Sequence, residues 1–321
     1  MDMARYVVKR LFSILVTICV IIAVGYILMY LSPGSFFSSS TIASAMGSLA
    51  VENPRLYQQY ISEFEARYGL NKPLWEQVLH YVWHSITFNF GNSFTYPTVH
   101  IMTQLETAFP ISAELAFGAV ALGVIVGIPL GVLAALKRNT WLDSTLTTLS
   151  MAGQAVPAFV SAVFMVLIFG VYFPNILPIN GWGTPSDAIL PIIALGLGNI
   201  GVVTRYMRGS LIETMRQDYM RTAEAKGVKY WRRVMVHGVR NSLVALITVI
   251  GPAFGFTVVS TIWVENIFSI PGMGSLMATA FVNKDVPLAI TDVFILALLI
   301  LVTNFLVDIA YSILDPRVHL T

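Results

Sequence analysis

Apolar positions in this chain gather in long unbroken runs, not in the alternating or one-sided patterns of soluble elements. The first run, Leu11 to Leu31, holds no charged residue and ends at Ser32-Pro33-Gly34. Others fall at 111–136, 144–170, 188–207, 242–265 and 286–313. A helix needs about 20 apolar residues to cross the hydrocarbon core of a bilayer. The pattern therefore predicts an all-α membrane protein with about six transmembrane helices. Arg5, Lys9 and Arg10 before the first run and Ala43-Ser44-Ala45 after it also suit a cleaved signal peptide. The run is longer than the roughly 7–15 apolar residues of such a peptide, so it reads as a retained span. Gly127-Ile128-Pro129-Leu130-Gly131 and Pro157 sit inside runs. Neighbouring helices satisfy the backbone groups they free, and small residues let helices approach closely. Packing is their expected role.

The runs divide the chain into three parts: 1–31, N-terminus and first span; 32–110, a hydrophilic insertion; 111–321, five spans interrupted by a hydrophilic segment at 208–241. Within the insertion, Arg55 to Tyr68 predicts an amphipathic helix after Asn53-Pro54. Tyr68-Gly69-Leu70-Asn71-Lys72-Pro73 then reads as helix stop, turn and helix start. Leu74, Trp75, Val78, Leu79 and Val82 repeat at helical spacing. Phe88 to Tyr96 is aromatic, with a turn at Gly91-Asn92. A segment of this kind suits the membrane surface or the outer mouth of a pathway.

Composition agrees with membrane class. Of 321 residues, 56% are hydrophobic and only 11% charged, against about 25% charged in soluble domains. Mean hydropathy is +0.74. A net charge of +2 is too small for a nucleic-acid footprint. The one cysteine, Cys19, excludes an intrachain disulfide. Basic residues then orient the spans, because cytoplasmic segments collect Lys and Arg. With the N-terminus inside, only Arg55, Arg67, Lys72 and Lys284 of the 19 basic residues fall outside. Both termini are then cytoplasmic, as an even number of spans requires.

Candidate chemistry is sparse. Glu76, His80 and His84 share one helical face, and such spacing can bind zinc, with His100 as a fourth ligand. Nothing in the sequence makes them converge, and they read as solvated interfacial residues with no metal role. Glu114, Asp292 and Asp308 lie in or near spans, where a charge costs about 2.5–3.5 kcal/mol at mid-depth. Glu114 and Asp292 are expected to reach the headgroups, and Asp308 to bond Tyr311. No G-x-x-x-x-G-K-[ST] phosphate loop occurs, so the chain has no means of hydrolysing a nucleotide by that route. In the segment 208–241, Leu211, Met215 and Tyr219 predict a helix that ends at Gly227, since glycine supplies the left-handed cap. A short basic-aromatic helix follows, Val228 to Val234, exposing Tyr230 and Trp231. Two partners suit it equally: a groove on another protein or anionic lipid headgroups.

Arg221-Thr222-Ala223-Glu224-Ala225-Lys226-Gly227, approached through Arg205, Arg208, Asp218 and Tyr219, resembles the cytoplasmic coupling loop of ABC-importer permease subunits. The resemblance is to the B-type subunits of oligopeptide and dipeptide systems, and it covers nearly the whole chain. Leu31-Ser32-Pro33-Gly34, Tyr68 to Leu74, Phe90-Gly91-Asn92-Ser93 and Gly127 to Gly131 are similar to that family in order and spacing. So are Glu265 to Gly274, Lys284-Asp285-Val286-Pro287, Asp308 with Tyr311, and Asp315-Pro316-Arg317. Two departures stand out: Glu224 replaces a residue often basic in the family, and Arg240 to Val244 lacks a common proline. Leu177 to Trp182 and Phe109-Pro110-Ile111-Ser112 look closer to oligopeptide members. The resemblance implies a type I ABC-importer permease fold in a prokaryotic plasma membrane. It implies a second, similar permease subunit, two ATP-binding subunits carrying ATP and Mg, and an extracytoplasmic peptide-binding protein that meets 32–110 and 266–286. Coupling to the ATPases would fall to Arg221, Thr222, Ala223, Glu224, Gly227, Tyr230, Trp231, Arg232 and Arg233. No substrate-contacting residue is implied.

Other functions fit less well. A secondary transporter usually shows internal repeats, and none is evident. An intramembrane protease needs a serine–histidine or zinc constellation at membrane depth, yet all five histidines fall outside the runs. Val24-Gly25-Tyr26 mimics a potassium filter but lies within an apolar helix, whereas filters use non-helical backbone.

Overall fold

The computed structural model describes residues 3–31, 52–96 and 98–314. Ser32-Pro33-Gly34, Ala43-Ser44-Ala45, Asp315-Pro316-Arg317 and the side chain of Tyr311 lie outside the described residues. Among the described residues the protein is helical almost throughout, and no strand longer than a single bridge, Asn92 with His100, is present. Five helices are long and apolar enough to cross a membrane, or six if one bent pair is a single span.

Helix α1 covers Met3–Leu31 and takes in Arg5, Lys9 and Arg10, eight residues before the apolar run. Helix α2, Pro54–Tyr68, starts where Asn53 accepts a hydrogen bond from Leu56 N and stops at Gly69, φ +66°. Helix α3 is Leu74–Ile86. Helix α4, Ile101–Leu136, begins ten residues ahead of the expected 111. Ile101, Leu105 and Ala108 are buried at spacings of four and three, so a one-sided helix precedes the apolar run. Pro110 sits inside it and forfeits one hydrogen bond.

The run at 144–170 folds as two helices, α5 (Trp141–Ala155) and α6 (Ala158–Tyr172), bent by 96°. Pro157 lacks an N–H and disfavours helical backbone in the residue before it. Val156 is accordingly extended, at φ −81° and ψ 120°. Helix α7, Ile189–Thr214, outlasts its expected end at 207, and α8 is Asp218–Ala225. The remaining helices are α9 (Tyr230–Ile267), α10 (Met273–Val282) and α11 (Val286–Leu314).

The chain forms two compact units. One comprises Met1–Met3, Pro110–Gly274 and Ile300–Thr321; the other comprises Ala4–Phe109 and Ser275–Leu299. In the first, Leu115, Ala119, Leu190, Ala194, Val264 and Phe268 form a core among α4, α7 and α9. A Cβ on Gly127 would stand 2.8 Å from the Val203 Cβ, and one on Gly131 2.7 Å from that of Met207. The glycines of the 127–131 motif thus seat α4 directly on α7, the packing role expected of them. Arg208 donates two hydrogen bonds to Asp143, at 2.6 and 2.7 Å, tying the start of α5 to α7.

Glu265 is fully buried and accepts a hydrogen bond from Ser112 Oγ at 2.6 Å. That hydroxyl in turn accepts from Met273 N at 2.8 Å. Gly272 and Gly274 fold the chain back over the carboxylate so closely that a Cβ on Gly272 would lie 2.5 Å from it. The motif Glu265 to Gly274 is therefore one packed turn around a buried acid.

In the second unit, Tyr26 of α1 donates to the Gln77 side-chain oxygen. The Gln77 amide donates to the carbonyls of Leu70 and Lys72 at 3.1 and 2.7 Å. Asp285, also fully buried, accepts from Ser93 Oγ, from Phe94 N at 3.0 Å and from Thr95 N at 2.9 Å. It also caps α11 through Leu288 N at 3.3 Å. One carboxylate therefore holds the aromatic loop and starts a helix. Helix α3 presents Trp75, Leu79 and Trp83 outward and buries Gln77, Tyr81 and Ser85. Of the stripe Leu74, Trp75, Val78, Leu79 and Val82 read from sequence, Leu74, Val78 and Val82 are half-buried, and Trp75 and Leu79 face away from the unit's interior. Asp292 is buried rather than directed at headgroups, because α11 turns it inward with Leu288, Ala289 and Leu296; Glu114 is exposed, as expected.

Candidate functional site

The segment 208–241 is built on two ends: the last turn of α7 and the first turns of α9. Helix α7 continues to Thr214 and then stops in a turn. Met215 N, Arg216 N and Gln217 N bond the carbonyls of Leu211, Glu213 and Thr214 at 2.9, 3.0 and 3.1 Å. The continuous helix expected through Leu211, Met215 and Tyr219 is therefore broken at Gln217, whose backbone is extended at ψ 150°. The break separates the faces: Leu211 is fully buried, whereas Tyr219 is exposed and reaches Asn241 Nδ2 at 3.0 Å.

Helix α8 begins with Asp218, whose charge suits the positive end of the helix dipole. Arg221 lies 3.7 Å from Asp218 in a fully exposed pair, which contributes little. Thr222 Oγ1 bonds back to the Asp218 carbonyl at 3.1 Å. Met220 is the buried anchor of this helix. Its end is a Schellman motif: Gly227 N bonds Glu224 O at 2.9 Å, Val228 N bonds Ala223 O at 3.1 Å, and Gly227 adopts φ +74°.

Beyond the turn, the expected short helix Val228 to Val234 is not a separate element. Tyr230 opens α9, which runs through a π-helical stretch, Arg233–Val239, into a rod ending at Ile267. The wider turn suits this position, where Val234 and Gly238 are buried and Leu211 and Met215 press against Gly238. Ser242 Oγ donates to Gly238 O at 2.9 Å and lies 3.3 Å from the Thr214 hydroxyl, pinning the rod to α7.

Across the turn, Arg233 Nη1 meets Glu224 Oε2 at 2.7 Å. Glu224 is thus a staple between α8 and α9, which gives a physical reason for an acid at this position. The Arg233 hydrogen bond holds the Glu224 carboxyl below its usual pKa of 4.5. The Arg233 guanidinium also lies 5.9 Å from the Tyr230 ring centroid, and Tyr230 stands edge-to-face with Trp231 at 5.9 Å. Trp231 (65% exposed), Tyr230, Arg232, Met235 and Val236 point outward. Beside Tyr230 lies a groove of about 210 Å³ lined by Leu136, Arg138, Leu211, Ile212, Met215 and Arg216.

Of the nine residues singled out from sequence, the fold joins Glu224 to Arg233 and stacks Tyr230, Trp231 and Arg233. Thr222 and Ala223 serve the helix and its cap, and Arg221 and Arg232 stay in solvent. Met220, Val234, Thr214 and Ser242 were not legible, because their importance comes from what α7 packs against them. Chemically the surface is a cationic, aromatic knuckle. On α3, the His80 and His84 rings lie 4.1 Å apart, while Glu76 turns to Lys72 at 3.6 Å. Among the described residues no three His, Cys, Asp or Glu side chains form a metal-holding group. Burial, then the charges of His84 and Lys72, lowers the His80 pKa.

Residues 127–320 match the family described as binding-protein-dependent transport system inner membrane component. The chain is 36% identical over 318 residues to the dipeptide transport system permease protein DppB of Lactococcus lactis subsp. cremoris, covering 99% of this chain and 100% of that one. It is 35% identical over 320 residues to the oligopeptide transport system permease protein OppB of Haemophilus influenzae, covering 99% and 100%. Among solved structures, a chain of the MetNI methionine ABC transporter in an inward-facing conformation is similar in fold. Its TM-score is 0.57 at 16% identity, covering 67% of this chain and 97% of that one.

Proposed function

Since this chain belongs to the family of binding-protein-dependent transport system inner membrane components, we propose that it is a permease subunit of an ATP-driven peptide importer. It is a multi-pass protein of the prokaryotic plasma membrane. Its relatives carry peptides of both size classes at nearly equal identity, 36% and 35%. The preference for oligopeptides rests on the resemblance of the loop Leu177 to Trp182 and of Phe109 to Ser112, within α4, to oligopeptide members.

One observation carries the mechanism: the exposed knuckle around Gly227 leads without a break into α9, 38 residues from Tyr230 to Ile267. A partner that grips Tyr230, Trp231 and Arg232 therefore holds the end of a membrane helix, not a loose loop. Motion of that partner is transmitted along the rod, and the Glu224–Arg233 ion pair keeps α8 moving with it. In an ATP-driven importer hydrolysis falls to another polypeptide, since this chain has no phosphate loop of its own, and the gripping partner is read as that ATPase. In this reading both termini and 208–241 are cytoplasmic, and 32–110 is extracytoplasmic. The five spans after the insertion work with a second, similar permease subunit and two ATP-binding subunits. An extracytoplasmic binding protein delivers the peptide.

Alternating access follows as a cycle. ATP binding draws the two ATPases together, the knuckle moves with them, and the spans open outward; hydrolysis reverses the motion. The test is mild-detergent purification of the tagged chain with identification of its companions. Recovery of a second permease and ATPases, with peptide uptake that depends on ATP, is the expected result. Recovery of the chain alone, still moving a solute down an ion gradient without ATP, would overturn the reading in favour of a secondary transporter.

A further inference from the structure

The unit that carries the knuckle also contains a cavity of about 540 Å³ among α5, α6, α7 and α9. That volume lies within the range of small-molecule sites, about 300–1,000 Å³. Its wall from α7 is one face: Ala194, Leu195, Gly198, Asn199, Val202 and Arg205 recur at helical spacing. The wall from α9 is likewise one face, running from Val249 through Thr257 to Ser260.

Three features set this space apart from a packing defect. The sharp α5–α6 break forms part of its rim, and irregular backbone at membrane depth is tolerated only where protein buries it or it lines a wet cavity. Pro252, in the wall, lies inside α9 and removes one helical hydrogen bond, while Pro157 stands at the α5–α6 break itself. Finally, Gly198 differs from the neighbouring glycines of α7. A Cβ on Gly196 or Gly201 would run into another helix at 2.8 or 2.2 Å, whereas one on Gly198 would meet nothing within 4 Å. Helix packing does not explain that glycine; open space above it does.

Polar groups converge on the opening. Asn199 and Thr257 sit side by side in the wall, the Asn199 amide donating to Thr257 Oγ1 at 3.2 Å and Thr257 Oγ1 donating to Ala253 O at 2.7 Å. Arg205 lies two turns further along α7. Its neighbour Arg208 is neutralised by Asp143, but among the described residues no carboxylate pairs with Arg205, whose guanidinium stands 5.5 Å from the Tyr206 ring centroid.

We propose that this cavity holds the peptide during passage, with Asn199 and Thr257 bonding its main-chain amides and Arg205 receiving its C-terminal carboxylate. An amide and a hydroxyl serve both donors and acceptors of any peptide bond, and so bind main chain without reading side chains. Arginine forks onto a carboxylate in two parallel hydrogen bonds. The assignment rests on the peptide-importer reading above.

The test uses cells in which the full transporter contains variants of this chain. At Gly198 an added Cβ meets nothing within 4 Å; Gly198→Trp places an indole in the cavity and should lower uptake by about tenfold or more, while Gly198→Ala changes it little. Arg205→Gln should lower uptake of a free-carboxylate peptide by about tenfold and of its C-terminally amidated form far less. Independently of transport, a charged thiol reagent should modify Gly198→Cys in a Cys19→Ser background, and peptide should slow the reaction. Undiminished uptake with Gly198→Trp, an unchanged ratio between free and amidated peptide, or labelling by lipid-soluble reagents alone would overturn the proposal. No peptide uptake by the unaltered transporter would instead refute the peptide reading itself.

Discussion

The turn at Gly227 offers a graded perturbation of coupling. Gly227 sits at φ +74°, and a Cβ added there would meet nothing within 4 Å. The cost of a side chain is therefore conformational alone. An L-residue in the left-handed region costs about 1–2 kcal/mol. Asparagine tolerates that region best, and a β-branched residue is a true outlier there. The expected order is Gly227→Asn below about 1 kcal/mol, Gly227→Ala near 1, and Gly227→Val at about 2 or more. Helix α8 has only eight residues and little stability of its own. The penalty therefore falls on the knuckle's shape, not on global folding. At tenfold per 1.4 kcal/mol, valine should reduce the docking-competent population about thirtyfold, and asparagine only a few-fold. The assay is peptide uptake per ATP hydrolysed by the reconstituted transporter, with membrane insertion measured in parallel. Wild-type coupling in Gly227→Val, or a loss in Gly227→Asn as deep as in Gly227→Val, would refute the reasoning.

Three further perturbations separate packing from coupling. Gly272→Ala drives a methyl group to 2.5 Å from the buried Glu265 carboxylate; it should sharply reduce detergent-stable protein, measured as monodisperse yield, and normal yield would contradict the close approach. Asp285→Ala leaves the Ser93 hydroxyl and two backbone N–H groups without their acceptor. At about 1–3 kcal/mol for each, the loss is roughly 3–9 kcal/mol, visible as early proteolysis of the 88–96 loop. Glu224→Lys sets like charges together at Arg233 and should lower coupling, whereas Glu224→Lys with Arg233→Glu should recover part of it. Because Arg233 depresses the Glu224 pKa, the staple's contribution is complete above the ordinary value of 4.5 and is lost as pH falls through the lower folded value. Coupling that depends on the staple should be unchanged between pH 7 and about 5.5, and a fall within that window would assign the pH response to another group.

Membrane class, the number of apolar segments and the glycine that ends α8 were all legible in sequence, because each rests on a local property. Burial in lipid demands an apolar run wherever the chain crosses, and φ near +74° favours glycine whatever surrounds it. Asn53 and Gly69 acted as punctuation for the same reason, whereas Pro157, expected to pack within one run, splits that run into α5 and α6. Tertiary structure alone decided which faces those elements show. The stripe Leu74, Trp75, Val78, Leu79 and Val82 is periodic in sequence, but the anchoring of Gln77 by Tyr26, Leu70 and Lys72 leaves Trp75 and Leu79 on the outer face. Glu224 looked like a departure until the turn brought it to Arg233, nine positions away. Gly238, inside the π-helical stretch of the rod, matters because Leu211 and Met215 press against it. Gly196, Gly198 and Gly201 are the same residue within one helix, yet two are filled by neighbours and one opens onto a cavity. Local backbone preference is written residue by residue, whereas a side chain's environment is set by helices far away along the chain.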